Sequence, residues 1–280
     1  MSKDGRLLGK KALVTGSGTG IGREVALEFA RQGADVVLHF AHAVEGAESA
    51  VAEIQAMGRK AAVFKADFDR VDEVLQLAER AIGFLGHVDC LINNAGITFN
   101  RPFGKVTLEQ FDRLYHVNVR AQFFLTQRIA EDMLKHGGGA VVNVTSIHGV
   151  SGAPEHSVYA GTKGAIIAYT RTLGVELAHK GIRVNAIAPG CIPVENYKKV
   201  VADYDPATFV EWTKNAIPVG HAGRALDIGK LAVFLCSEDA EFIVGQTIVA
   251  DGGTTSLMSL ISDFRNESSA RFGIGYLPGV

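Results

Sequence analysis

The chain has one tryptophan, three cysteines and seven prolines among its 280 residues. The cysteines, Cys90, Cys191 and Cys236, stand far apart and are odd in number. That argues against a disulfide framework and fits a reducing compartment. Excess charge is missing too: the formal net charge is -2, so neither nucleic acid nor an anionic membrane is expected as a partner. No apolar run approaches the ~18 residues that a membrane span requires, and the start, MSKDGRLLGK, holds no apolar signal core. A cytoplasmic location is the expectation. The nine histidines and three cysteines include no H-E-x-x-H and no C-x-x-C, so no metal site is expected. A G-x-S-x-G nucleophile elbow is absent as well.

What is present is an ordinary globular composition, 47% hydrophobic and 21% charged, able to build a core without a staple. Short apolar runs alternate with longer segments of helical period. Strands are expected at 12–15, 36–40, 61–65, 88–92, 140–144, 183–187 and near 247–249, and helices at about 21–32, 45–57, 71–82, 108–135 and 157–180. Several strands are apolar throughout, as strands covered on both faces must be. Strand–helix alternation of this kind implies parallel strands joined by right-handed crossovers. The expected fold is therefore α/β, a doubly wound, Rossmann-type parallel sheet of about seven strands with helices on both faces, in a single domain. In such sheets ligands bind beyond the carboxyl ends of the strands, and every motif below falls at such an end. Residues 1–253 form the expected catalytic unit. Within it, 191–224 is an insert carrying Tyr197, Tyr204, Phe209 and Trp212, read as a helical substrate lid; 254–280 is a C-terminal extension.

The first strand runs into Thr15-Gly16-Ser17-Gly18-Thr19-Gly20-Ile21-Gly22. Glycines there allow a tight turn and a close approach of backbone to ligand, while the following helix offers unpaired N–H groups to a pyrophosphate. The spacing is T-G-x-x-x-G-x-G, with Ile21 where the G-x-G-x-x-G pattern has glycine. A turn without a ligand is the alternative reading. Selectivity at the ribose falls to the end of the second strand, at Phe40-Ala41-His42. No carboxylate stands there to bond a 2′-hydroxyl and repel a 2′-phosphate, and no arginine stands there to attract one. NAD or NADP is left open, with NADP favoured by the missing repulsion. His39 and His42 are either neighbours of that phosphate or ordinary residues of a strand end.

Further along, Ser157-Val158-Tyr159-Ala160-Gly161-Thr162-Lys163 opens a helix. The i, i+4 spacing puts Tyr159 and Lys163 on one face, one turn apart. A phenol is a poor base near neutral pH, and a nearby ammonium or cationic nicotinamide lowers its pKa.

Together these pieces resemble the short-chain dehydrogenase/reductase family over nearly the whole chain to about Gly253. The matches come in family order: the turn at 15–22, Asp67, Asn93-Asn94-Ala95-Gly96, Asn118, Ser146, Tyr159 with Lys163, and Pro189-Gly190. The resemblance implies that Tyr159 is the general acid/base, that Ser146 holds the same substrate oxygen, and that Lys163 lowers the Tyr159 pKa and binds the nicotinamide ribose. It gives Asn118 a proton-relay water. It also implies a dinucleotide bordered by Gly16, Ser17, Thr19, Gly20 and Ile21 at the turn, by Phe40, and by Asp67 and Phe68 at the adenine. Asn94 and Ala95 would border the ribose, and Pro189, Gly190 and Ile192 the carboxamide. One departure stands out: Val194 occupies the place where the family often has a threonine for the carboxamide, so that contact does not transfer.

A polar set near the expected pocket, His148, Glu155, His156, Glu195, Asn196 and Tyr197, suggests a small molecule dense in hydroxyls, such as a sugar, polyol or hydroxy acid. A 3-oxoacyl thioester reductase is the alternative substrate reading. A dinucleotide-binding sensor without turnover is the alternative of another class. By the resemblance a homo-oligomer is expected, a tetramer before a dimer, with the 254–280 extension placed at an interface, bordering a pocket, or on its own domain.

Overall fold

The structure, a computed structural model, describes residues 5–195 and 204–257. Seven parallel strands form one sheet: β1 (Lys11–Val14), β2 (Asp35–Phe40), β3 (Ala61–Lys65), β4 (Cys90–Asn93), β5 (Gly139–Val144), β6 (Ile182–Pro189) and β7 (Thr247–Ala250). Their order is β3-β2-β1-β4-β5-β6-β7. Registers such as Leu13 beside both Val37 and Leu91, and Val142 beside both Ile92 and Asn185, align the strands' carboxyl ends.

The period-2 alternation of side chains divides these strands between two cores. Val14, Leu38, Ile92 and Val142 face one layer with α1 (Gly20–Arg31), α2 (Val44–Ala56) and, late in the chain, a helix at 225–236. Leu13, Val37, Leu91 and Val141 face the other, against α3 (Val71–Leu85), and beyond it α5 (Ala121–Lys135) and α6 (Ser157–Ala178). This double coverage is why the strands read as continuous apolar runs. The chain reverses its direction of winding between β1 and β4, which opens a crevice at their carboxyl ends.

Local signals account for several helix ends. At the start of α4 (Leu108–Tyr115), Thr107 accepts the Gln110 N–H and Gln110 returns the bond to the Thr107 N–H. Asp205 caps α7 (Pro206–Ala216) by accepting the Thr208 N–H, with Pro206 in the first turn. Gly86, at φ 87°, ends α3 in a backbone conformation that suits glycine.

Two expectations differ from the structure. The long helix at 108–135 is interrupted by a π-helical turn at His116–Arg120, which separates α4 from α5. A helix, α8 (Ala225–Cys236), was not expected: its sequence ALDIGKLAVFLC is apolar on most sides because it lies against α1 and the sheet, so no clear polar face marks it. The insert at 191–224 is helical only at α7 among the described residues. Asn196 and Tyr197, and most of the C-terminal extension, lie outside those residues.

Candidate active site

The crevice is built by four strand ends. At the end of β1, Thr15 binds two segments together. Its Oγ1 accepts the N–H groups of Asn94 and Ala95, both at 3.0 Å, and donates to the Ile92 carbonyl at 3.2 Å. Asn94 returns from the β4 loop, its Nδ2 donating to the carbonyls of Thr15 (3.0 Å) and Gly16 (3.1 Å). A Cβ on Gly22 would lie 2.3 Å from the Gly16 carbonyl oxygen and 2.4 Å from Asn94 Nδ2. Glycine there is a packing requirement.

Where α1 begins, Thr19 makes no side-chain cap and no carboxylate stands in the first turn. The helix's leading N–H groups are therefore left for an anion, with nothing acidic to repel it. Ser17 and Gly16 face inward instead: Ser17 Oγ bonds the Val14 carbonyl at 2.8 Å and accepts the His39 N–H at 3.0 Å. Val194 packs over the turn, within 3.0 Å of where a Gly20 Cβ would lie.

His39 corrects the sequence reading. It is neither beside a phosphate nor on the surface; it is buried in the wall beneath the turn. Its Nδ1 accepts the Gly16 N–H at 3.0 Å, so its Nε2 carries the proton and donates to the Ala66 carbonyl at 3.0 Å. Its ring stacks on Phe68 at 4.3 Å. Burial pushes its pKa down to about 4, which keeps it neutral. Phe68 is correspondingly buried, and its ring serves this stack. Asp67, by contrast, is exposed, its Oδ1 accepting the Asp69 N–H at 3.0 Å. His42 is exposed, and Phe40 half-buried at the end of β2.

The reacting end lies between β5 and α6. Lys163 is buried, and its Nζ donates to the Val144 carbonyl at 2.9 Å while lying 5.6 Å from the centre of the Tyr159 ring. Burial lowers its pKa to about 8, so the ammonium persists at neutral pH. Tyr159 shows the opposite tendency: burial raises its phenol pKa, and the neighbouring Ser146 hydroxyl partly offsets this by favouring the phenolate. Ser146 Oγ accepts the His148 N–H at 3.2 Å, which leaves its own proton for another oxygen. A cleft of about 210 Å³ is lined by Ser146, Tyr159, Lys163, Asn94, Ile21, and Pro189 to Gly190 with Ile192.

Asn118 sits in the π turn and is fully buried. Its Oδ1 accepts the Ile97 N–H at 2.8 Å, and its Nδ2 donates to the Ile97 carbonyl (2.9 Å) and to Thr162 Oγ1 (3.2 Å). The carboxamide thus ties the β4 loop to α6, and Gly96 passes close by: a Cβ there would lie 3.2 Å from Asn118 Oδ1 and 3.7 Å from Lys163 Nζ. A π turn displaces the backbone from the ordinary helical ladder and is common at functional sites.

The remaining polar candidates divide. His148 and His156 stack at 4.4 Å and both stand edge-on to Tyr159, at 5.7 and 6.5 Å. His148 Nδ1 is buried without a partner, and burial together with His156 lowers the His148 pKa. Glu155 is exposed, with a left-handed φ of 65°, and its carbonyl accepts the Arg101 N–H at 3.0 Å. Glu195 is exposed. Sequence reasoning missed the structural roles of Thr15, Gln122 and Thr162. Thr15 could have been suspected from its place just before the glycine turn. Gln122, which donates to the Ala95 carbonyl at 2.7 Å, carries no local signal.

The groups present fit a nicotinamide dinucleotide: helix N–H groups free of acid at one end of the crevice, and a half-buried phenol beside a buried ammonium at the other. Comparison with known proteins agrees. A family profile described as enoyl-(acyl carrier protein) reductase matches residues 16–255. The hydroxynaphthalene reductase-like protein Arp2 of Metarhizium robertsii is 38% identical over 258 residues, covering 89% of this chain and 96% of that protein. Among solved structures, a 7α-hydroxysteroid dehydrogenase complexed with NADH and 7-oxoglycochenodeoxycholic acid is similar with a TM-score of 0.83 and 37% identity, over 89% of this chain and 95% of that one. A short-chain dehydrogenase from Burkholderia cenocepacia J2315 in complex with NADP has a TM-score of 0.82 and 32% identity, over 89% and 99%. Site, sheet order and these likenesses converge: the chain belongs to the short-chain dehydrogenase/reductase family of oxidoreductases.

Proposed function

We propose that the chain is an NAD(P)-dependent oxidoreductase that interconverts a secondary alcohol and its ketone. The observation that carries this reading is the half-buried Tyr159 phenol, with the Ser146 hydroxyl beside it and the buried Lys163 ammonium one helical turn away. In the reductive direction Tyr159 gives its proton to the carbonyl oxygen as that oxygen becomes negative, and Ser146 donates a hydrogen bond to the same atom. In the oxidative direction Tyr159 takes the hydroxyl proton. The dinucleotide supplies or accepts the hydride. Burial alone raises the Tyr159 pKa, so the depression needed for base catalysis comes from positive charge brought close to the phenol: Lys163 and the oxidised nicotinamide ring.

The α1 N-terminus with Gly16, Ser17, Thr19, Gly20 and Ile21 would hold the pyrophosphate, Asp67 and the Phe68 main chain the adenine, and Asn94 and Ala95 the ribose. Pro189, Gly190 and Ile192 would take the carboxamide, and Lys163 the nicotinamide ribose. Asn118 would seat the relay water through its main chain, since its carboxamide is engaged with Ile97 and Thr162. NADP is favoured because no carboxylate occupies 40–42.

Two substrate classes fit this site. The stacked His148–His156 pair beside Tyr159 forms an aromatic wall suited to a flat ring ketone. Relatives named for hydroxynaphthalene reduction and for a 7-oxo steroid support that class. The hydrogen-bonding groups of His148, His156 and Glu195 support a sugar, polyol or hydroxy acid instead. A panel of fused-ring ketones, polyols, aldoses and 3-oxoacyl thioesters, followed by nicotinamide absorbance, separates them. Ring ketones are expected to turn over best, and turnover of thioesters alone would remove both classes. In the same assay Tyr159→Phe is expected to lose about 10²–10⁴-fold in kcat while cofactor binding is kept. Lys163→Ala is expected to harm both. Normal turnover by Tyr159→Phe overturns the mechanism.

A further inference from the structure

The π turn that carries Asn118 is also tied to a second loop, through contacts that the proposed mechanism does not use. His116 and Arg120, the first and last residues of the turn, stand four apart, close to one full turn of a helix whose bonds run from i to i+5. Both reach Asp69, in the loop between β3 and α3. His116 Nδ1 donates to the Asp69 carboxylate at 2.9 Å, a carboxylate being an acceptor only. Arg120 Nη2 donates to the Asp69 main-chain carbonyl at 2.6 Å. Asn118, two residues from each, bonds Ile97 and Thr162 instead.

Asp69 is in turn bonded to the residue that would border the adenine. Its N–H donates to Asp67 Oδ1 at 3.0 Å, the Arg70 N–H donates to the Asp67 carbonyl at 3.0 Å, and the Asp67 N–H donates to Glu73 Oε2 at 2.7 Å. Phe68, between the two aspartates, is anchored by its stack on His39. Segment 67–70 is thus a tight turn, and a shift of Asp67 is carried to Asp69. The two contacts with the π turn engage different atoms of Asp69, one in the side chain and one in the main chain. Asp69 therefore cannot move without drawing on one end of that turn or the other.

We propose that Asp69, His116 and Arg120 are positioning residues that carry occupancy of the adenine pocket to the π turn, and so to Asn118 and the β4 loop it holds. The inference rests on the dinucleotide reading above, which puts the adenine against Asp67. A nucleotide settled on Asp67 and the Phe68 main chain orders segment 67–70. Asp69 then fixes both ends of the π turn, and the Asn118 carboxamide is held against Ile97. The adenine half takes no part in hydride transfer, yet it contributes in this way to the geometry around Tyr159. Binding energy from a remote part of the cofactor is used at the reacting centre.

Hydrogen–deuterium exchange tests this without turnover. The native chain is given 5′-ADP or adenosine 2′,5′-bisphosphate at millimolar concentration; each carries the adenine end of a dinucleotide and lacks the nicotinamide end. Exchange is expected to slow at 66–70 and, by about fivefold or more, at 116–121. Arg120→Met and Asp69→Ala should each keep the protection at 66–70 and lose most of it at 116–121. Asp69→Asn retains an acceptor for His116 and should keep both. The Asp69 side chain is 41% exposed, so Asp69→Ala carries the test even where Arg120→Met does not fold. Protection confined to 66–70 in the native chain overturns the proposal and leaves the dinucleotide reading standing. So does full protection at 116–121 in both Asp69→Ala and Arg120→Met. No protection at either segment by these nucleotides, NADH or NADPH removes the dinucleotide reading and the proposal with it.

Discussion

A buried histidine shows how much one residue can do beneath a glycine turn. His39 holds the Gly16 N–H with one ring nitrogen and the Ala66 carbonyl with the other, so it spans the β1 turn and the end of β3. Protonation would remove the acceptor that Gly16 uses. Its pKa falls from 6.5 to about 4 because charge is disfavoured in this wall. Between those two values the unfolded chain binds a proton that the folded chain refuses, so stability is full above pH 6.5 and declines as pH falls towards 4. The component amounts to up to about 3 kcal/mol. Denaturant titrations from pH 7 to pH 4 should show this loss in the native chain, and His39→Asn should be flatter over the same range. Equal slopes for the two proteins would refute the assignment. Sequence inspection could not have placed His39. It alternates with strand neighbours that look alike, and only the approach of the Gly16 turn and Phe68 makes its two nitrogens partners.

At the scale of elements, the glycine turn and the β4 loop behave as one unit. Thr15 is the joint: one hydroxyl accepts two main-chain N–H groups and donates to a carbonyl. Thr15→Val keeps the shape and removes all three bonds; the Asn94 N–H keeps the Ile92 carbonyl at 3.1 Å, while the buried Ala95 N–H is left unsatisfied at a cost of about 1–3 kcal/mol. A melting point lower by several degrees and a several-fold weaker cofactor Kd are expected, read by calorimetry and fluorescence titration. Unchanged affinity would show that the turn holds its shape without the joint. The same scale explains which elements were legible. β1, β2 and β5 announced themselves through continuous apolar runs, and α6 through its length. The π turn at His116–Arg120 was not legible: no local signal marks it, and the bonds that Asn118 makes from it to both main-chain groups of Ile97 join residues 21 positions apart. Helix α8 was missed for the converse reason: buried against α1 and the sheet, it has little polar face to reveal its period.

Across the whole molecule, seven parallel strands wound in two directions place every motif at one end of the sheet, and Cys90 and Cys236 at the other. No helix among the described residues is long and apolar enough to cross a membrane. We propose that residues 254–280 pack at a subunit interface of a homo-oligomer and border a pocket. The aromatic and basic residues Arg265, Arg271, Phe272 and Tyr276 motivate this, being too many for a plain solvated end. Truncation after Leu257 is expected to lower the assembly mass in light scattering and to raise the substrate KM. A truncated chain with unchanged mass and kinetics would return the tail to its own domain.

The amino-acid sequence by itself determined the doubly wound sheet, the glycine turn and the placing of Tyr159 and Lys163 one helical turn apart. These depend on local periodicity and on spacings within single elements, which a linear reading preserves. Only the tertiary structure decided that Tyr159 sits where burial raises its pKa, that His39 is a neutral strut and that Cys90 and Cys236 line one cavity. Each of those follows from segments brought together through space, where desolvation and pairing act without regard to distance along the chain.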